Sequence, residues 1–194
     1  MSYYTPNEEE VFEILRRPDL DTVKGRRDKA ILELLYSSGL RRNEVHTLNI
    51  EDINFNDSIV SVRKGKMGKD RIVPVGTLAK GALRLYLERS RPKWVKDTAE
   101  TALFVSERGR RLSAYMVYEI VKSYAQHKKI STHSIRHACA THMLKGGASL
   151  VHIQKLLGHS SLKTTQIYTR LMPLELQEMY RKVGLREEEK EKAK

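Results

Sequence analysis

Ile59-Val60-Ser61-Val62-Arg63-Lys64-Gly65-Lys66-Met67-Gly68-Lys69-Asp70-Arg71-Ile72-Val73-Pro74-Val75 is the stretch that departs most clearly from a helical rhythm. Two short runs rich in β-branched residues, 59–63 and 71–75, flank a basic segment with two glycines. β-Branched side chains suit a pleated surface, and glycine supplies the backbone freedom that a tight reversal needs. The expectation is a β-hairpin with a basic tip. Proline has no N–H for a further ladder, so Pro74 puts the second strand at a sheet edge or near its own end.

On both sides of the hairpin the chain reads as helices. Thr5-Pro6-Asn7-Glu8 predicts a helix start, with Thr5 as cap, Pro6 in the first turn and Glu8 closing a capping box; the helix is expected to stop before Pro18. Residues 26–38 predict a second helix with Ile31, Leu34 and Leu35 on one face and Gly39 as its stop. Arg41 opens a short helix that holds Val45 and Leu48. After the hairpin, helices are expected over 78–89, 113–127, 132–145 and 149–157, the last closed by Gly158, with Leu103-Phe104-Val105 as a candidate short strand. Pro173 precedes a final helix over 174–183, and the almost wholly charged end is expected to be a disordered tail. The fold class is therefore mainly α with a small antiparallel β-sheet (α+β): one domain over 1–184 and a charged tail over 185–194.

The 194 residues carry 36 Lys+Arg against 24 Asp+Glu, a net charge of +12, and the pI is near 9.8. A domain this basic attracts a polyanion, because each phosphate it neutralises releases condensed counterions. Charge alone does not separate nucleic acid from an anionic membrane surface. No apolar run approaches the ~20 residues of a membrane helix, and the first residues lack the basic and apolar regions of a secretory signal. The cytoplasm, in association with the nucleoid, is the expected compartment. Cys139 is the single cysteine, which leaves no internal disulfide and no cysteine-rich zinc site.

Four patterns carry chemistry: Ser38-Gly39-Leu40-Arg41-Arg42-Asn43-Glu44-Val45; the hairpin tip with Lys66; His133-Ser134-Ile135-Arg136-His137; and Leu156-Leu157-Gly158-His159 with Tyr168 nine residues further on. Together they suit metal-free cleavage of a phosphodiester. Such a reaction needs an in-line nucleophile, cations for the charge that the non-bridging oxygens gain, and a proton for the leaving oxygen. A side-chain nucleophile conserves the bond for rejoining, and a phenol of pKa about 10 departs again more readily than an alkoxide. Arginine offers a permanently charged fork that matches phosphate oxygens. Arg41 follows a helix-ending glycine, Arg136 shares a helix face with His133, His159 follows Gly158, and Lys66 has the reach of a general acid.

These patterns resemble the tyrosine recombinase (phage integrase) family, most closely its Xer-like and integrase branches, over about residues 5–183. Gly39 to Leu48 follows the family's Gly-Leu-Arg-x-x-Glu-x-x-x-Leu pattern, and Gly65 to Pro74 its Gly-Lys-x-x-Lys-x-Arg-x-Val-Pro hairpin. His133 to His137 matches its His-x-x-Arg-His box, followed by Ala140-Thr141-His142, and Leu157 to His159 its Leu-Gly-His box. Thr164-Thr165-Gln166-Ile167-Tyr168 ends on the nucleophile. The resemblance implies the family's catalytic-domain fold. It implies that Tyr168 attacks DNA to leave a 3′-phosphotyrosyl bond and a free 5′ hydroxyl. Arg41, His133, Arg136 and His159 would hold the phosphate, with His133 also a proton acceptor. Lys66 would protonate the leaving oxygen, and Glu44 and His137 would support the site. No metal, ATP or other cofactor is implied. The implied partners are double-stranded DNA and further copies of the chain, a tetramer on DNA and a monomer when free. The segment 174–183, with Leu176, Met179, Tyr180 and Val183, either docks on a neighbouring protomer or folds back on its own core. The family pattern begins within the first ten residues, so the family's N-terminal core-binding domain is expected to be absent from this chain.

Several residues keep two readings. Arg42, Lys64 and Lys69 are read as contacts to the DNA backbone, with solvated surface charge as the competing reading. The hairpin lysines also suit protection of a sheet edge. The i,i+4 spacing of His133 and His137 suits zinc, but no acidic partner accompanies it and Arg136 beside a metal is unfavourable. His142 and His152 read as ordinary helix residues, and Cys139 as core packing. Two other functions stay open: a helix-turn-helix regulator without chemistry over 149–168, and a type IB topoisomerase-like enzyme that rejoins the same strand. The first accounts for the charge but not for Arg41, Lys66, His133, Arg136, His159 and Tyr168 occurring together.

Overall fold

The computed structural model describes residues 4–63, 70–125, 127 and 129–158. Within them lie eight helices: α1 (Glu8–Arg16), α2 (Val23–Ser38), α3 (Arg42–Thr47), α4 (Thr77–Arg89), α5 (Arg91–Trp94), α6 (Ala114–Tyr124), α7 (Thr132–Lys145) and α8 (Leu150–Leu157). Three strands, β1 (Ile53–Asn54), β2 (Ile59–Val62) and β3 (Arg71–Pro74), form an antiparallel sheet in the order β1-β2-β3. The mainly helical architecture with one small sheet is the one the sequence predicts. No helix among the described residues is long and apolar enough to cross a membrane.

α2 is the axis of the molecule. Ala30, Ile31, Leu32, Leu34 and Leu35 are all wholly buried, so the helix is apolar around most of its circumference and must be covered on several sides. α4, α7 and α1 supply that cover. Thr22 caps α2 by accepting the Gly25 N–H, so the helix starts three residues before the expected 26. It stops where expected, at Gly39, whose φ of 57° is left-handed. A Cβ there would also lie 2.9 Å from Leu157 Cδ2, so glycine is required both by the turn and by the neighbour.

The start of α1 differs from the expectation. Asn7, not Thr5, is the cap: its side chain accepts the Glu10 N–H, while the Glu10 carboxylate accepts the Asn7 N–H. Two overlapping boxes compete in this sequence, and the asparagine–glutamate pair satisfies the same orphan donors with Pro6 left outside the helix. α6 ends at Tyr124, short of the expected 127. Leu103-Phe104-Val105 is buried but belongs to no strand; Val105 makes an isolated bridge to Arg111, and the preceding Ala102 one to Asn49.

The expected hairpin strands are present. Val60 pairs with Val73 and Val62 with Arg71. Cross-strand partners share a face, so Arg71 lies on the same side as buried Val60, Val62 and Val73. Pro74 closes β3, an edge strand, and its carbonyl accepts the Ser38 hydroxyl at 2.8 Å. That bond ties the sheet to the end of α2, next to Gly39.

Candidate active site

The left-handed turn at Gly39 releases the chain into an extended conformation at Arg41 (φ −79°, ψ 151°), the N-cap of α3. Glu44 stands at the third position of α3, where a carboxylate reaches back to the cap. One Glu44 oxygen accepts the Arg41 backbone N–H at 2.8 Å, and the other accepts Arg41 Nη1 at 2.9 Å. The same carboxylate also receives the Arg71 fork, Nη1 at 2.8 Å and Nη2 at 2.9 Å. Burial alone would raise the Glu44 carboxyl. The hydrogen bonds and charge of Arg71, then those of Arg41, outweigh it and hold the group at about 2. Glu44 is therefore an anion throughout the physiological range.

Two arginines close the end of α8. The last carbonyls of a helix have no intrahelical donor, and cations near that end complement its dipole. Arg71 Nε donates to the Leu156 carbonyl at 3.0 Å. Arg136, on α7 and 5% exposed, donates to the carbonyls of Leu157 and Gly39. The result is a ring in which Arg136 joins α7, α8 and the end of α2, and Glu44 with Arg71 joins α3, β3 and α8. Burial, then repulsion from Arg41, lowers Arg136 to about 10; the group stays charged, and the repulsion reflects how near the two guanidinium groups lie.

His133 and His137 sit one turn apart on the exposed side of α7, with Nε2 atoms 3.0 Å apart and rings edge to face. That contact requires one nitrogen to donate and the other to accept. Partial desolvation, then repulsion from His137, Arg136 and Arg41, lowers the His133 pKa below the usual histidine value, which favours a neutral imidazole at pH 7. The charged members of the ring are Arg41, Arg71 and Arg136 against Glu44, three positive and one negative, a net of +2. A phosphodiester carries one negative charge, and the pentacoordinate state formed on attack carries two. The described site is deficient in anion by the charge of that transition state.

Arg41, Glu44, His133, Arg136 and His137 are thus brought together. Arg42 is exposed on α3. Lys64, Lys66, Lys69, His159, Tyr168 and the segment 174–183 lie outside the described residues, as does the second half of the span 149–168. Cys139 is wholly buried, 3.9 Å from Met143 Sδ, and burial pushes its thiol up to about 12. His142 is buried against the Tyr36 hydroxyl at 3.0 Å, and His152 meets the capping Ser149 at 2.7 Å. Sequence reasoning missed Arg71 as a site residue. The sequence marks Arg71 only as the arginine of the Gly65 to Pro74 pattern; that its side chain takes the core face while Ile72 is exposed follows from the strand pairing.

The comparisons with known proteins agree with this geometry. The pattern described as the phage integrase family matches residues 7–175. Tyrosine recombinase XerC of Thermodesulfovibrio yellowstonii is 45% identical over 181 residues, covering 90% of this chain and 60% of that protein. The crystal structure of XerA recombinase superposes with a TM-score of 0.73 at 34% identity, over 93% of this chain and 65% of that one. XerH site-specific recombinase, solved bound to its difH substrate as a pre-cleavage complex, matches with a TM-score of 0.67 at 25% identity, over 85% of this chain and 49% of that one. The chain spans about 60% of the length of the curated relatives it matches. Sequence pattern, relatives and fold coincide, and the chain belongs to the phage integrase family.

Proposed function

We propose that this chain is the catalytic part of a site-specific DNA recombinase that cuts and rejoins strands through a 3′-phosphotyrosyl bond at Tyr168. The observation that carries the reading is the anion-deficient ring, with Arg41 and Arg136 fixed by Glu44 and by the Gly39 carbonyl beside a neutral-leaning His133. In this reading Arg41, Arg136 and His159 hold the scissile phosphate. The Tyr168 phenolic oxygen forms the bond to phosphorus, its proton passing to His133, while the P–O5′ bond breaks and Lys66 protonates the departing oxygen. The phosphorane gains one negative charge over the diester, and preorganised guanidinium groups favour that gain. Rejoining runs the same steps backwards and needs no ATP, metal or other cofactor. His137 supports His133 by the shared hydrogen bond.

Double-stranded DNA is the proposed substrate, with Arg42, Lys64 and Lys69 on its backbone. The relatives support this: one is named a tyrosine recombinase, and another was solved on its DNA site. On DNA we propose a tetramer, with the segment 174–183 on a neighbouring protomer, and a cytoplasmic, nucleoid-associated location.

A pool of randomised nicked duplexes that lose a short 3′ fragment on cleavage tests the proposal. The expected result is a denaturant-resistant protein–DNA adduct on a discrete sequence, absent in Tyr168→Phe while binding remains. Binding without adduct from any duplex would replace the enzyme with a DNA-binding regulator, and supercoil relaxation without strand exchange would favour a topoisomerase.

A further inference from the structure

We infer that Arg71 is a positioning residue for strand cleavage: it occupies Glu44 so that Arg41 stays available to the phosphate, and it fixes the end of α8 beside Arg136. The inference rests on the reading above, in which Arg41 meets the scissile phosphate.

Three contacts carry it. Both Arg71 terminal nitrogens bond Glu44, one to each oxygen, and Nε bonds the Leu156 carbonyl. The side chain is about one-tenth exposed, so its fork is directed inward by the pairing of Arg71 with Val62. It does not reach for solvent as an edge charge would. Glu44 meanwhile also takes the Arg41 guanidinium at 2.9 Å. A buried carboxylate shared between two arginines is neutralised by the pair and leaves a surplus charge on them. A carboxylate left with Arg41 alone forms a closed one-to-one ion pair, and that pair competes with any phosphate for the same guanidinium. The net charge of the ring then drops from +2 to +1. At the other end of Arg71, Leu156 precedes Leu157, whose carbonyl Arg136 holds. Gly158 follows, and a Cβ there would lie 3.1 Å from Arg71 Cδ. One side chain on the hairpin therefore touches both the Arg41 support and the helix end that Arg136 uses. The hairpin that carries Lys66 in sequence is thereby tied to the phosphate clamp.

The test uses the full chain and two versions of the trapping duplex. One has an ordinary scissile phosphate, and the other a methylphosphonate, which lacks one anionic oxygen and has less need of a guanidinium. Arg71→Ala is expected to slow cleavage of the phosphate duplex about 100-fold, as a displaced clamp does, and the methylphosphonate duplex about threefold. Both rates come from one preparation, so a partly unfolded variant lowers them equally and leaves their ratio unchanged. Arg71→Lys keeps the charge without the fork and should remain about tenfold slow on phosphate. Glu44→Gln placed in the Arg71→Ala background removes the competing carboxylate and should restore part of the phosphate rate. Equal slowing on both duplexes, or none, overturns the inference while the recombinase reading stands. Failure of the unmutated chain to cleave either duplex overturns that reading and this inference with it.

Discussion

Two buried arginine–carboxylate clusters border α2, and they do opposite things. Near its start, Arg27 Nη2 and Asp28 Oδ1 lie 2.8 Å apart, both side chains almost wholly buried. The Trp94 ring covers Arg27 at 5.1 Å, and the Tyr124 hydroxyl donates to Asp28 at 3.1 Å. Beyond its end, Glu44 receives two guanidinium groups. Burial raises the Asp28 carboxyl against the pull of Arg27, whereas Glu44 is held at about 2. The core cluster is one cation to one anion and is electrically closed. The site cluster is three to one and is open to a ligand. Stoichiometry, more than depth, separates a structural ion pair from an anion-binding one.

That contrast can be broken by mutation. The largest expected effect is on chemistry: Arg136→Ala should lower adduct formation on the trapping duplex by about 1000-fold, the scale of losing a preorganised donor. Asp28→Ala should leave the rate per folded molecule unchanged but cost about 3–5 kcal/mol in urea unfolding, because Arg27 is left buried and unpaired. Glu44→Gln should cost about 3 kcal/mol at pH 7, and that cost should depend on pH. The folded carboxyl titrates near 2 and the ordinary value is 4.5, so the folded state binds fewer protons between them. The advantage of glutamate is full above about pH 5 and fades as the pH falls through 4.5 toward 2. The smallest effect is expected from the double change Arg27→Met with Asp28→Leu, which removes both charges at once and should alter stability by about 1 kcal/mol or less. A large loss there would mean that the core pair is not closed after all.

The features that local rules control were legible in the sequence. α7 runs over the predicted residues, and the stops at Gly39 and Gly158 are both left-handed, because a helix end is decided within a few residues. The grouping of Arg41, Glu44, His133 and Arg136 was legible from motif and spacing. The cap of α1 was not, since Thr5 with Glu8 and Asn7 with Glu10 satisfy the same local rule. β1, with two residues, is too short to show a period. Arg71 required the strand register, a non-local fact. The partners of Arg136 are backbone carbonyls of Gly39 and Leu157, and a carbonyl leaves no letter in a sequence.

The double carbonyl grip of Arg136 has a thermodynamic consequence. Its guanidinium is at once a fastener of α2 to α8 and a member of a mutually repelling set with Arg41. Any polyanion that quiets the repulsion tightens the fastener, so ligand occupancy and folding are linked equilibria. At a hundredfold excess over its dissociation constant such a ligand adds about 2.7 kcal/mol to the folded state. If the proposed substrate is right, a duplex is a thermal protectant for this domain, and melting temperature becomes a binding assay that needs no turnover.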